Sequence, residues 1–198
     1  SAGRDLPGAI DKCFQHVASS KSLITGDYYE FGVFKGYSFF RAYRAAQSLN
    51  IDDMRFFGFD SFAGMPPVQG VDQVENAPFY EGQFSCPLWR VTADLNKRGI
   101  DWTKCNLIEG YFEKSLVPQT KQDFNMRHAA IALIDCDIYS SASVALEFLA
   151  ELIIDGTVLI MDDWNAFGAD DKKGERRALN DFLNSNPQWR AEPWFSYG

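Results

Sequence analysis

Four carboxylates in two tight groups carry most of the chemistry open to this chain: Asp135 with Asp137, and the adjacent pair Asp162 and Asp163. Brought together, four carboxylates repel one another unless a proton or a cation lies between them. A hard divalent ion is the economical neutraliser, because it takes oxygen ligands and keeps positions for water or substrate. Such an ion polarises a hydroxyl, and a neighbouring carboxylate such as Asp135 can receive the proton that leaves. A second set of residues suits a nucleoside. Gly32 and Gly36 form a tight turn after Glu30, and Asp60 follows at a spacing close to the roughly 20 residues that place an acid on ribose hydroxyls. The pattern Glu30-x-Gly32-x-x-x-Gly36 is not the dinucleotide fingerprint; its carboxylate favours an ammonium or hydroxyl groups over a pyrophosphate.

These residues need elements to position them. Each acid group ends a short apolar run, 131–134 or 158–161, of the kind that forms a strand buried on both faces of a parallel sheet. Between the runs, residues 140–153 place Val144, Leu146, Phe148, Leu149 and Leu152 at helical spacing, and Asp155-Gly156 turns the chain back. Strand, helix, strand delivers both acid groups to the carboxyl edge of one sheet, where open sheets hold their ligands. Residues 28–33, 55–60 and 105–110 read as three further strands, with helices at 37–49 and 85–98, the latter closed by Gly99. Gly110, with Phe112, is placed to line a base at the end of the third of these strands, and Phe112 reads equally well as a core residue. Helices are also expected at 6–20 and 174–184, and the aromatic-rich stretch 188–197 reads as a last strand. His16 reads as a packing or surface residue rather than a base, and His128 falls at the amino edge, far from the acids. The loop 61–84 carries Gly64, Pro66, Pro67, Gly70, Pro78 and Gly82, and loops this long in a domain are usually lids.

Composition sets the bounds. A chain of 198 residues fits one domain able to bury about 70% of its unfolded surface. Its hydrophobic content of 46% suits a packed globule, and its net charge of −8 argues against a nucleic-acid partner. The basic knot Lys172-Lys173-Gly174-Glu175-Arg176-Arg177 reads as a solvated helix start. No apolar run approaches the roughly 20 residues of a membrane span, and no signal-peptide pattern opens the sequence. Cys13, Cys86, Cys105 and Cys136 lack metal-ligand spacing and read as free thiols of a reducing compartment. The expected setting is the cytoplasm. The expected partner is a small-molecule hydroxyl acceptor, with no nucleic acid and no membrane; assembly into a homo-oligomer stays open.

Five motifs in order resemble the macrocin O-methyltransferase-like family of class I S-adenosylmethionine-dependent methyltransferases. They are Glu30-Phe-Gly32-Val-Phe-Lys-Gly36-Tyr-Ser38, Gly58-Phe-Asp60-Ser61-Phe62-x-Gly64-Met-Pro66, Glu109-Gly110-Tyr-Phe112-x-x-Ser115-Leu116, Asp135-Cys-Asp137-Ile-Tyr139-x-Ser141 and Asp162-Asp163. The resemblance runs from Gly26 to Phe182. It implies one domain over 1–198, with an N-terminal helical segment at 1–25 and a lid-like loop at 61–84. The implied fold is α/β: a doubly wound, mostly parallel sheet with helices on both faces, Rossmann-like. It implies S-adenosylmethionine and Mg2+, or another hard divalent cation, as cofactors, and methylation of a hydroxyl, often on a sugar of a glycosylated product. The cofactor residues it implies are Glu30, Gly32, Gly36, Ser38, Asp60, Ser61, Phe62, Gly110, Phe112 and Asp135. The chain is also similar to catechol O-methyltransferase, whose metal is held by acids ending strands four and five. That likeness makes Asp135, Asp162 and Asp163 the metal ligands, with Asp135 also the catalytic residue and Asp137 an orienting group. Cys136 stands where family members usually have glycine.

Two alternatives accompany this reading. An apolar strand followed by Asp-x-Asp is also the signature of haloacid dehalogenase-type phosphatases, although there it normally opens the domain. A non-catalytic adenosine-binding module would keep the pocket without the chemistry. Metal-independent methylation, with the acids serving as helix caps, is a variant of the main reading.

Overall fold

Strands and helices alternate along the chain of the computed structural model, which describes residues 6–73 and 79–197. The strands are β1 (Asp27–Phe31), β2 (Phe56–Asp60), β3 (Cys105–Glu109), β4 (Ala129–Ile134) and β5 (Val158–Met161). They form one sheet in the order β3-β2-β1-β4-β5, with every pair parallel. The chain builds outward from β1 through β2 to β3, then returns to the other side of β1 for β4 and β5. The reversal lies between β1 and β4, the place where a doubly wound sheet opens a crevice at its carboxyl edge.

Parallel strands flanked by helices have no solvated face, which explains the continuous apolar runs. Every residue of β4 is buried, and β1 is buried throughout despite carrying Asp27 and Glu30. Alternation splits the core in two. Tyr28, Phe56 and Ile131 pack toward α1 (Leu6–Ala18), α2 (Tyr37–Ser48) and α3 (Leu88–Lys97). Tyr29, Phe31, Phe57 and Phe59 pack toward α4 (Phe112–Ser115), α6 (Tyr139–Leu149) and α7 (Gly174–Ser185); the short α5 (Pro118–Asp123) precedes β4. Each buried aromatic or branched side chain contributes about 1.5–3 kcal/mol by leaving water.

Asp27, at the amino end of β1, is fully buried yet ionically matched: it accepts hydrogen bonds from Arg55 (2.6 Å) and from the Arg127 main-chain amide (3.1 Å) and Nε (3.0 Å). This network pins the amino edge. His128 lies on that edge as expected, its Nε2 2.9 Å from the Ser22 carbonyl.

One expectation fails. Residues 188–197 form no strand but an extended strap without regular structure. Three aromatic contacts help hold it: Trp194 lies against the His16 ring at 5.0 Å, and the Lys12 ammonium sits over Trp194 and Phe195 at 5.1 and 4.0 Å. Aromatic content mimicked a strand, but side-chain contacts hold the residues, and Pro193 interrupts any ladder. The basic knot is also less solvated than expected. Arg176 donates to the Trp164 carbonyl (2.7 Å) and stacks on the Trp164 ring at 4.6 Å, fastening α7 to the turn after β5.

Candidate active site

Backbone register puts the acids side by side. The Asp135 amide donates to the Phe31 carbonyl and the Asp162 amide to the Ile134 carbonyl, extending the β1–β4 and β4–β5 ladders by one residue each. Asp135 therefore lies beside Gly32, and Asp162 beside Asp135. The approach at Gly32 is so close, with φ +97°, that a Cβ there would fall 1.7 Å from the Asp135 carbonyl oxygen. Only glycine lets β1 pass the acid-bearing turn.

Burial and mutual repulsion raise the affinity of these groups for protons. Burial, then the charges of Asp162 and Asp163, push the Asp135 carboxyl well above the usual range, although the residue as a whole is only partly buried. Asp137 is pushed up to about 8 by burial and by Asp163, and its φ of +64° is a left-handed conformation uncommon for this residue type. Asp163 rises to about 6 through burial and Asp162. Asp162 is raised by burial, while a hydrogen bond from the Tyr197 hydroxyl (3.0 Å) works the other way.

A fifth carboxylate joins them, one that sequence reasoning missed. Glu175, in the first turn of α7, is 1% exposed and accepts the Asp163 amide through Oε2 at 3.2 Å. Its Oε1 and the Oδ2 of Asp163 are buried without a hydrogen-bond partner. Burial, followed by Asp163, Asp135 and Asp162, raises Glu175 well above the ordinary range. Glu175 lies inside the charged run 172–177, so its type and neighbours suggested a solvated helix start. Among the described residues, no three or more His, Cys, Asp or Glu side chains already converge in metal-binding geometry. Acids and edge are in place, but a ready-made cage is not.

The nucleoside half has its own wiring. Asp60 Oδ2 accepts the Val33 and Phe34 amides, both at 2.8 Å, and Oδ1 accepts the Phe62 amide at 2.7 Å. The acid read as a ribose ligand thus also braces the glycine turn and the start of the next loop. Glu30 is fully buried and accepts hydrogen bonds from the hydroxyls of Tyr28 (2.6 Å) and Ser38 (2.7 Å); burial lifts it to about 8. Gly36, at φ +75°, begins α2. Gly110, at φ +145°, closes β3, and its amide bonds to the Asp60 carbonyl. Phe112 is mostly buried, edge-on to Phe31 at 6.1 Å. Ser61 and Phe62 start the following loop; Ser61 Oγ donates to the Gly64 carbonyl and Phe62 is 4% exposed. An open cavity of about 640 Å³ lies at this end of the edge, between Phe62, Glu109 and the α3 residues Leu88, Trp89, Thr92 and Asn96; none of the four acids lines it.

The loop 61–84, as far as described, leaves and rejoins the body at a narrow base. Met65 and Gln83 pair through backbone, and Gly64 approaches Gly82 so closely that a Cβ would meet its carbonyl oxygen at 2.5 Å. A 3-10 turn at Gly70–Asp72 brings buried Asp72 to the Ser140 amide (3.3 Å) at the start of α6. Phe79 meets Phe167, in the turn before α7, at 5.6 Å. The loop thus reaches the elements that follow both acid groups. The stretch 74–78, part of the expected lid, lies outside the described residues.

Known proteins share this fold. Residues 3–187 match the macrocin-O-methyltransferase (TylF) family. A curated relative is 30% identical over 149 residues, covering 71% of this chain and 54% of its own length: the 8-demethyl-8-(2,3-dimethoxy-alpha-L-rhamnosyl)-tetracenomycin-C 4'-O-methyltransferase of Streptomyces olivaceus. The chain thus spans about half the length of the curated relative it matches. Among solved structures, the calicheamicin methyltransferase CalS11 superposes with a TM-score of 0.75 at 23% identity, over 92% of this chain and 72% of that one. The O-methyltransferase NovP gives 0.72 at 18% identity, over 91% and 72%. At those identities the likeness shows the fold, a Rossmann-like class I methyltransferase sheet.

Proposed function

Because the chain belongs to the macrocin-O-methyltransferase (TylF) family, we propose that it transfers the methyl group of S-adenosylmethionine to a hydroxyl of a small molecule, a sugar or a glycosylated metabolite. The observation that carries this reading is the side-by-side placement of Asp135 and Asp162 at the β4–β5 edge, against the glycine turn of β1. The relative that methylates a rhamnosyl-bearing tetracenomycin supports a sugar hydroxyl as the acceptor. Family membership sets aside the phosphatase alternative. An adenosine-binding module without chemistry is the outcome the transfer assay below distinguishes.

S-adenosylmethionine is assigned to the edge from β4 across β1 to β3. Asp135 stands at the β4 end, Glu30, Gly32, Gly36 and Ser38 frame the β1 turn, and Asp60, Ser61, Phe62, Gly110 and Phe112 stand toward the nucleoside end. Asp60 keeps carboxylate lone pairs for a ribose hydroxyl beyond the three amides it already accepts. The cavity at Phe62 and Glu109 offers room for a base.

Mg2+ or a similar hard cation fits the acid cluster by donor chemistry: all the candidate ligands are carboxylates, and two buried oxygens lack partners. Asp135, Asp162 and Asp163 would hold it, after side-chain rotation toward one point. Bound there, such an ion supplies Lewis-acid polarisation of an acceptor hydroxyl. The chain's own residues do the rest. The acceptor oxygen bonds to the methyl carbon as the carbon–sulfur bond breaks, leaving S-adenosylhomocysteine as a neutral thioether. The hydroxyl proton passes to a carboxylate. Asp135 is placed for it, and Asp137, when ionised, is the second acceptor within the cluster.

Calorimetric titration with S-adenosylhomocysteine tests the cofactor half. Wild type should bind, and Asp60→Ala should bind about ten- to a hundredfold more weakly, the loss expected for charge-assisted hydrogen bonds. Equal affinity in both would remove Asp60 from the site. Transfer of labelled methyl from S-adenosylmethionine to glycosylated acceptors tests the chemical half; binding without transfer to any of them would favour the module.

A further inference from the structure

The strap at 188–197 reaches the acid cluster from outside the sheet. It leaves α7, where Trp189 packs with the α6–α7 side of the core, and ends with Phe195 and Tyr197 packed on the α1–α2 side. Among the described residues it forms no strand that would bond it to β5, so beyond the Trp189 amide's bond to the Asn186 carbonyl the contacts that hold it come from side chains. Trp194 and Phe195 anchor it beneath Lys12 and beside His16 of α1. Two residues beyond Phe195, the Tyr197 hydroxyl donates to Asp162 Oδ1 at 3.0 Å. Tyr197 is partly buried there.

We infer that Tyr197 is a positioning residue: the aromatic anchor on α1 holds its hydroxyl on one oxygen of Asp162 and so turns the other toward Asp135 and Asp163. This rests on the reading of the cluster as the cation and acceptor site. Carboxylates free at a strand end sample several rotamers, and a hydrogen bond to the oxygen that does not face the ligand fixes one of them. The strap reaches this carboxylate from the α1 side, whereas Glu175 reaches the neighbouring Asp163 amide from α7. Different elements thus bond the two residues of the pair, the strap at the Asp162 carboxylate and α7 at the Asp163 main chain.

The experiment compares wild type, Tyr197→Phe and Trp194→Ala in the full chain, using Mn2+ as a spin probe by electron paramagnetic resonance and S-adenosylhomocysteine by calorimetry. Tyr197→Phe keeps the packed ring and removes only the hydroxyl; it should weaken Mn2+ binding about tenfold, the usual effect of losing a ligand-orienting partner. Its affinity for S-adenosylhomocysteine should stay within about twofold of wild type, because the cofactor residues are untouched. Trp194→Ala, remote from the cluster, should weaken Mn2+ binding in the same direction by loosening the strap. Equal Mn2+ affinity in wild type and Tyr197→Phe, including no binding by either, would overturn the inference. So would a parallel fall in both affinities, which marks a general loss of structure. Failure of wild type to bind S-adenosylhomocysteine would instead count against the methyltransferase reading, leaving the Mn2+ comparison to judge Tyr197 by itself.

Discussion

Glu30 has no exposed surface, and its carboxyl sits between two hydroxyls, from Tyr28 and Ser38. Its position at a strand end suggested a ligand-facing carboxylate; the structure shows one that first serves the turn, joining β1 to the first turn of α2. Burial raises it from an ordinary 4.5 to about 8. A carboxyl raised by folding favours the protonated native state, so its contribution is complete below about pH 4.5 and is lost as pH rises through about 8. Asp137, Asp163 and Glu175 are raised in the same direction. The metal-free protein, in chelator, should therefore lose stability between pH 5 and pH 8, with Glu30 responsible for a few kcal/mol on the order-of-magnitude scale of such shifts. Thermal melts at the two ends of that window would check it. Glu30→Gln should flatten the profile and gain on wild type at pH 8; an unchanged slope would show that Glu30 ionises freely in the native state.

At the scale of elements, the strands were legible because continuous burial leaves a simple trace: runs of apolar residues cut off by acids. The helices followed from spacing, α2 and α7 to within a residue or so of each end. The strap was not legible, since aromatic content alone does not distinguish a strand from a chain held by ring contacts. Nor was Glu175, whose burial depends on α7 closing over the turn after β5. The loop after β2 was read as a lid from its glycines and prolines, but its docking was invisible, because Asp72 and Ser140 are 68 residues apart. Asp72 accepts the Ser140 amide in the first turn of α6, a role usually filled by a local cap, and Ile138 at the N-cap position provides none. Asp72→Ala should cost about 1 kcal/mol of stability and speed amide exchange from Met65 to Gln73, while α2 exchanges as before. Hydrogen exchange followed by mass spectrometry reads this directly, and unaltered protection in that stretch would mean that the loop is held by its narrow base alone.

Across the whole molecule, one physical conflict organises the edge of the sheet. Hydrophobic burial of β4 and β5 drives two strands together, and their register forces Asp135 and Asp162 into adjacent positions where like charges repel. Raised proton affinities and two orphaned oxygens show that the described protein groups do not resolve the conflict by themselves. Protons or a cation must complete it, and these make opposite predictions. A cation that orients and polarises the acceptor is needed for transfer but not for holding the donor, whose expected contacts lie mainly along the β1–β3 edge. Exhaustive chelation should then abolish methyl transfer to the acceptor while changing S-adenosylhomocysteine affinity by less than about threefold, a difference below 1 kcal/mol. Asp162→Asn and Asp163→Asn should reproduce the loss, each by several kcal/mol of transition-state stabilisation, and added Mg2+ should restore wild type but not the variants. If transfer survives chelation at full rate, protons rather than a cation neutralise the cluster, and the acceptor's proton passes to a carboxylate of the cluster that stays ionised.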